Sequence, residues 1–252
     1  MGAAVGAVGV TEVPRWCGWD HPPLSGGYAA AADNQGAVGS SSVNVRYFVE
    51  SSRPLVALTF DDGPAPRYTP LFFDVLEEAG VNATFFMVGR NVRDHADLVK
   101  DRLGGHEVGN HSWAHRDLAT MDLPAIQEDL RRTHDMIQDK LGRTPTLMRP
   151  PFGHLGGSTV LAADSAGYDV VLWDRQMHER RFADDVPGQV KDIVDTVRPG
   201  SIVLAHDAGD KRRLVTLRAL KDIVAGLKAR GFEFVTVSEM IADAAKPAGE
   251  RH

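Results

Sequence analysis

From residue 55 onward, apolar positions recur along this chain in two alternating rhythms. Short runs rich in β-branched and aromatic residues read as buried strands: Leu55–Phe60, Ala83–Val88, Glu107–Asn110, Thr146–Arg149, Asp169–Trp173, Ser201–Ala205 and Phe232–Val237. Longer amphipathic stretches between them read as helices near 69–79, 92–102, 123–141, 158–166, 187–197 and 213–230. In the 123–141 stretch, Leu123, Ile126, Leu130, Ile137 and Leu141 recur at helical spacing. Asp122 is a suitable N-cap ahead of them, and Pro124 suits the first turn. Gly80, Gly142, Gly167 and Gly231 each follow a helical stretch, as C-terminal caps do. Strands that alternate with helices build a parallel sheet. About seven such units predict an α/β domain of the distorted (β/α)7 barrel type, with an open doubly wound sheet as the second choice.

Residues 1–46 lack this rhythm. They are rich in Gly, Ala and Ser, and "AAADNQGAVGSSS" reads as linker. The start, "MGAAVGAVGV", resembles the tail of a signal peptide without its basic region. The expectation is a secreted or envelope protein, which N-terminal sequencing of protein from culture medium checks. The domain organisation expected is therefore an N-terminal segment (1–46), a catalytic domain (47–245) and a short tail (246–252).

Composition narrows the function. The chain has 252 residues, 43% of them hydrophobic and 25% charged, enough for one large domain with a sizeable core. Its formal net charge is −6, and its short basic pairs (Arg131-Arg132, Arg180-Arg181, Arg212-Arg213) sit among acids, so a nucleic-acid partner is not expected. No apolar run is long enough for a membrane span. Cys17 is the single cysteine and cannot form an internal disulfide, so stability must come from packing, and a monomer is expected.

Parallel α/β folds place their chemistry at the carboxyl ends of strands. Asp61 and Asp62 follow the first strand in "TFDDGP". Alone, such a stretch is an ordinary turn. His111 and His115 follow the third strand in "HSWAH", at a spacing that puts both imidazoles on one side of a helical turn. Arg149 opens "RPPFG" after the fourth, and His206 ends the sixth in "LAHD". Turn and surface preferences do not account for all of these at strand ends together. One carboxylate and two imidazoles make three protein ligands and leave metal positions open for water and substrate. A second carboxylate beside them can take a proton from water. The chemistry read from these residues is metal-assisted hydrolysis.

The order TFDDGP, HSWAH, RPPFG, LAH, with "GHEVGNHSWAH" around the second motif, resembles the polysaccharide deacetylases of the NodB-homology type, carbohydrate esterase family 4. The resemblance spans roughly residues 54–240. It implies a distorted α/β barrel. It implies that Asp62, His111 and His115 bind a divalent metal, zinc first, with Co2+, Ni2+ and Mn2+ also compatible. Asp61 would be the general base, and Arg149 would hold it charged and oriented. His206 would be the general acid. Leu204 would line the acetyl pocket, with Pro151 and Trp173 also touching substrate. The backbone N–H of Phe152, where the family often has Tyr, would help stabilise the oxyanion.

One motif departs. The family usually carries Asp-x-x-Asp-Trp after the fifth strand, and this chain reads "LWDRQMHERRF". Counting from Trp173, Glu179 falls where the acid that tunes the catalytic His belongs, and Arg180 where the Trp belongs. Asp174 is a rival partner for His206. The substrate implied is an N-acetylated glycan, chitin-like or peptidoglycan-like. An O-acetylesterase on acetylated xylan, an amidohydrolase on a small cyclic amide and a non-catalytic glycan-binding module are the alternatives. The last predicts saccharide binding without acetate release.

Overall fold

Every residue of the strand Leu55–Asp61 is buried, a pattern that a strand covered on both faces produces. It is the second strand of a computed structural model that describes residues 43–246. The linker stretch, Cys17 and the segment after Lys246 lie outside the described residues. In chain order the elements are β1 (Val45–Arg46), β2 (Leu55–Asp61), α1 (Thr69–Ala79), β3 (Thr84–Met87), α2 (Gly89–His95), β4 (Glu107–Asn110), α3 (Leu123–Leu141), β5 (Leu147–Met148), α4 (Gly157–Ser165), β6 (Asp169–Val171), β7 (Arg175–Gln176), α5 (Val186–Thr196), β8 (Ser201–His206), α6 (Leu214–Ala229), β9 (Glu233–Phe234) and α7 (Val237–Ala244).

The strands form one sheet in the order β1-β6-β5-β4-β3-β2-β8-β7, with β9 against the start of β2. All named strand pairs are parallel. The sheet is a distorted partial barrel of the α/β class, as the alternating rhythm predicts. It has two ends, β1 and β7. The largest core cluster joins β2, β3 and β8 to α1 and α6. Phe85 stacks on Phe60 at 5.2 Å and on Phe73 at 4.6 Å between ring centroids. Fully burying a side chain of this size contributes roughly 1.5–3 kcal/mol.

The helix 123–141 is present as the sequence indicates. Asp122 accepts a hydrogen bond from the Ala125 N–H at 2.9 Å, and Gly142 ends the helix in the left-handed region at φ 63°. Other boundaries differ. The expected helix 92–102 is α2 followed by a single 3-10 turn, Ala96–Leu98. Of Phe232–Val237 only Glu233 and Phe234 pair, because Thr236 caps α7: its hydroxyl accepts from Glu239 N–H, and Glu239 accepts from Thr236 N–H. β1 and β7 are extra two-residue strands, and β1 starts the sheet at Val45, just ahead of residue 47.

Register matters most for the site. Asp61 lies opposite His206 across the β2–β8 pair, and Asn110 opposite Met148 across β4–β5. The residues that follow Asn110 and Met148 are His111 and Arg149, so four motif residues share one rim.

Candidate active site

Asp61 still belongs to β2, whereas Asp62 leaves it at φ 82°. Strand alternation would point neighbouring side chains to opposite faces. The left-handed backbone at Asp62 breaks that alternation and lets both carboxylates face one cavity. Gly63 must be glycine here, because a Cβ would lie 2.3 Å from Asp207 Oδ2. The Gly63 N–H donates to Asp207 Oδ1 at 3.1 Å and ties the turn to the end of β8.

His111 and His115 do come together, with ring centroids 5.1 Å apart, but not on a helical turn. Ser112 and His115 both have positive φ, 65° and 55°. This bend is held by side chains: Ser112 N–H donates to Asn110 Oδ1 at 3.0 Å and His115 N–H to Ser112 Oγ at 2.9 Å. Asn110 in turn donates to the Leu130 carbonyl of α3 at 2.9 Å.

Asp62, His111 and His115 each offer a donor atom within 4.8 Å of the others. The Nδ1 of His111 lies 2.7 Å from the Arg149 carbonyl oxygen, which can only accept. Nδ1 therefore carries the proton and Nε2 turns a lone pair inward, as in many metal-binding histidines. That Nε2 is 3.5 Å from Asp62 Oδ1, and His115 Nε2 is 3.1 Å from the same oxygen. Asp62 Oδ1 is buried and has no hydrogen-bond partner. An unpartnered carboxylate oxygen facing imidazole nitrogens is costly in a buried nest. A divalent cation satisfies it, and a set of two nitrogens and one oxygen is a familiar one for zinc and its neighbours. The residues present thus fit a divalent metal. Without one, burial lowers the pKa of His111, but Asp61 and Asp62 outweigh it and hold it above the ordinary value. A proton therefore competes with metal for this nest.

Arg149 is fully buried, and each of its three guanidinium nitrogens donates. It donates to Asp61 Oδ1 at 2.7 Å, to Thr59 Oγ1 at 2.8 Å and to the carbonyls of Val171 and Leu172 at 3.0 Å each. Its plane lies over the Phe86 ring at 4.1 Å. With Asp61 Oδ1 so held, Oδ2 faces the His111 side at 3.7 Å from Nε2.

His206 ends β8. Its Nδ1 lies 2.9 Å from Glu179 Oε1. Burial raises the Glu179 pKa, but the His206 contact outweighs it and holds the carboxyl below its ordinary value. Nδ1–H thus donates to a carboxylate, and Nε2 is the nitrogen left to face substrate. Of the two acids that the sequence offers as partners, Glu179 makes this contact. Asp174 does not. It accepts from Ile202 N–H and Ser201 Oγ, both at 2.9 Å, at the start of β8. His206 stands at the other end of that strand, about 15 Å away at strand rise.

The cavity between these groups measures about 450 Å3. Trp173, Leu204 and Phe152 line it beside the motif residues. Pro151 does not: it is buried behind, in the short turn that carries Phe152 at φ 62°. Arg213 was not foreseen. Its Nη1 donates to Asp62 Oδ2 and, at 2.5 Å, to the Ala208 carbonyl. No periodicity marks it, since it is one of a basic pair 151 residues from its partner.

Fold and site together set the Asp61–Arg149 pair, the His206–Glu179 pair and the Asp62–His111–His115 nest on one rim of a partial parallel barrel. The sequence pattern of the polysaccharide deacetylases matches residues 49–171. A peptidoglycan-N-acetylglucosamine deacetylase of Bacillus cereus is 37% identical over 199 residues, covering 78% of this chain and 92% of that protein. The peptidoglycan-N-acetylglucosamine deacetylase PgdA of Listeria monocytogenes is 33% identical over 216 residues, covering 81% of this chain but 44% of that protein. Among solved structures, a peptidoglycan N-acetylglucosamine deacetylase superposes with a TM-score of 0.75 at 27% identity, covering 79% of this chain and 92% of that one. The chain belongs to the polysaccharide deacetylases of carbohydrate esterase family 4. It is a hydrolase, a polysaccharide deacetylase of that family.

Proposed function

We propose that this enzyme removes N-acetyl groups from an amino-sugar glycan of the bacterial cell wall, with a divalent metal, zinc first, held by Asp62, His111 and His115. The observation that carries this reading is the unpartnered Asp62 Oδ1 between two imidazoles, flanked by the Asp61–Arg149 and His206–Glu179 pairs. The relatives named above are peptidoglycan deacetylases, which supports the substrate class and action at the envelope or outside the cell. Among the described residues, no helix is long and apolar enough to cross a membrane.

When bound, the metal supplies a Lewis acid that polarises the acetamide carbonyl and acidifies water. The protein supplies the rest. Asp61 Oδ2 takes the proton of the attacking water, while Arg149 holds Oδ1 and keeps the carboxylate from turning. The backbone N–H of Phe152 donates to the oxyanion that develops on the acetamide oxygen. Leu204 and Trp173 pack against the acetyl methyl. His206 protonates the departing amine from Nε2, and Glu179 stabilises the imidazolium. Asp61 as base and His206 as acid are the split of protonation states that amide hydrolysis needs.

The test is acetate release from peptidoglycan fragments, chitooligosaccharide and acetylated xylan, after metal removal and zinc restoration, in wild type and Asp61→Asn. The expected result is metal-dependent release from an amide substrate, reduced about 10²–10⁴-fold in kcat by Asp61→Asn with metal binding retained. Release from xylan alone would make the enzyme an esterase. No release from any substrate would overturn the catalytic reading.

A further inference from the structure

The active-site cavity has an unusual wall, the segment 177–182. Met177, Glu179 and Phe182 are buried and pin it, Glu179 on His206. His178, Arg180 and Arg181 between them are exposed. His178 has φ 47°, and the N–H groups of Arg181 and Phe182 donate back to its carbonyl at 2.8 and 3.1 Å. The backbone thus fixes where the two arginines stand: at the cavity, directly beside the residue that contacts the proposed acid. Arg180 occupies the position where the family resemblance expects a tryptophan.

Charge around the cavity is unevenly matched. Four carboxylates line it, and each has a cationic or histidine partner: Asp61 with Arg149, Asp62 with Arg213 and the imidazoles, Glu179 with His206, Asp210 with Arg212. Arg180 and Arg181 also line it, and neither has an ion-pair partner or a side-chain hydrogen bond among the described residues. Arg181 lies over the Phe182 ring at 5.0 Å, which braces it without neutralising it. A second hollow of about 780 Å3 continues from this wall, sharing Trp173, Gln176, His178 and Arg181, but its further arginines, Arg175, Arg198 and Arg230, are matched by Asp174, Asp192 and Asp195, so the unmatched charge is confined to Arg180 and Arg181. The unpaired charge of Arg180 and Arg181 sits on a chain of net charge −6, so it is a local feature and not an average one.

We propose that Arg180 and Arg181 form a carboxylate-binding subsite, so that the enzyme prefers an acidic glycan, one with a carboxylate on the sugar next to the N-acetylated residue that it deacetylates. The inference rests on the deacetylase reading above and names the substrate class within it. A guanidinium fork matches a carboxylate in shape and charge, and charge-assisted hydrogen bonds of this kind are the strong ones. A carboxylate on an ether-linked side group of the sugar and one on the ring itself, as in a uronic acid, present the same chemistry.

The test uses zinc-loaded enzyme and three matched substrates. They are peptide-free cell-wall glycan strands with free lactyl carboxylates, the same strands with those carboxylates converted to methylamides, and neutral N-acetylglucosamine oligomers. A glycan of alternating uronic acid and N-acetylated sugar separates the two carboxylate sources. The expected result is about a tenfold advantage in kcat/KM for the free-carboxylate strands over their methylamides, falling with added salt. The ratio should drop to about one in the double variant R180Q/R181Q and recover in part in R180K/R181K, where the charge returns without the fork. Equal kcat/KM on free and amidated strands, or a ratio that survives R180Q/R181Q, would overturn the subsite. Calorimetric binding of both strands to zinc-loaded Asp61→Asn keeps the two proposals apart. Preferential binding of the free carboxylates without turnover in wild type would sink the deacetylase reading and leave the subsite standing.

Discussion

The active-site cavity has two walls built on opposite terms. On one, Asp61, Arg149 and His111 are buried, and backbone carbonyls fix the arginine and the imidazole. On the other, the segment 173–182 runs from a two-residue strand into a turn with three exposed side chains, and Glu179 is its anchored acid. The buried wall holds the groups that the proposed mechanism needs within about 0.5 Å of productive geometry. On the exposed wall one contact, Glu179 to His206, faces the reaction, and the exposed side chains of His178, Arg180 and Arg181 are left to meet the substrate. The difference fits the sequence resemblance, whose motifs match this chain on the first wall and whose expected tryptophan falls at Arg180 on the second.

The largest expected effect is on the buried wall. Arg149→Met leaves the Asp61 carboxylate buried without its cation, and breaking such a pair costs about 3–5 kcal/mol. Urea denaturation should show that loss together with loss of acetate release. Arg180→Met on the exposed wall should change stability by no more than about 0.5 kcal/mol. Equal stability effects at the two positions would dissolve the contrast.

Glu179 tests the one contact of the exposed wall that faces the reaction. Glu179→Gln removes a charge-assisted hydrogen bond worth about 1.5–3 kcal/mol, so kcat should fall about 10–100-fold. Asp174→Asn should leave kcat near wild type, since Asp174 serves Ile202 and Ser201. The reverse pattern would return the role of partner to Asp174. A smaller effect is expected at Arg213→Gln. The arginine holds one oxygen of Asp62 and leaves the other to the ligand nest. Its charge also opposes a nearby metal, but at a part-exposed position that repulsion is screened. Lost orientation should win, weakening zinc about tenfold in chelator competition. Tighter zinc binding would show that repulsion dominates.

The same contrast governs what the sequence makes legible. The buried wall is readable because its residues end short strands: the apolar run Leu55–Phe60 announces Asp61, whereas Glu107–Asn110, with Val108 as its one large apolar residue, marks His111 mainly through the HSWAH motif that follows. The sharing of one rim follows from parallel order alone. What brings His111 and His115 together is not legible, because the bend depends on Asn110 and Ser112 side chains and two positive φ values. β1 and β7 escape because two residues carry no period. α7 was within reach: Thr236 and Glu239 form the spacing of a capping box, but the apolar run before them reads as a longer strand. Glu179 is found by counting from Trp173, whereas Arg213 reaches Asp62 only through the folded loop after β8.

Asp207 gives the finest test of the buried wall, because it joins that wall to α1. Its carboxyl is buried, accepts from Gly63 N–H at 3.1 Å and lies 2.5 Å from Thr69 Oγ1. Burial pushes its pKa up to about 7; the Thr69 contact opposes this, and Asp62 and Asp61 add to it. The folded pKa therefore lies above the unfolded value of 3.8. Between those two pH values the native state binds a proton that the unfolded chain has released, so stability falls as pH rises toward 7 and levels off above it. Asp207→Asn resembles the protonated acid: its amide donates to Thr69 while its oxygen still accepts from Gly63. In metal-free protein, wild type should lose about 1 kcal/mol more than Asp207→Asn between pH 6 and pH 7. Subtracting the two curves cancels the like-signed contribution of His111. Zinc should shrink the difference, because a cation in the nest offsets Asp61 and Asp62, the charges that help hold the Asp207 proton in place. Urea denaturation at the two pH values, with and without zinc, measures it. Parallel curves for wild type and variant would mean that Asp207 is ionised throughout and that the turn at Gly63 is held by a charge.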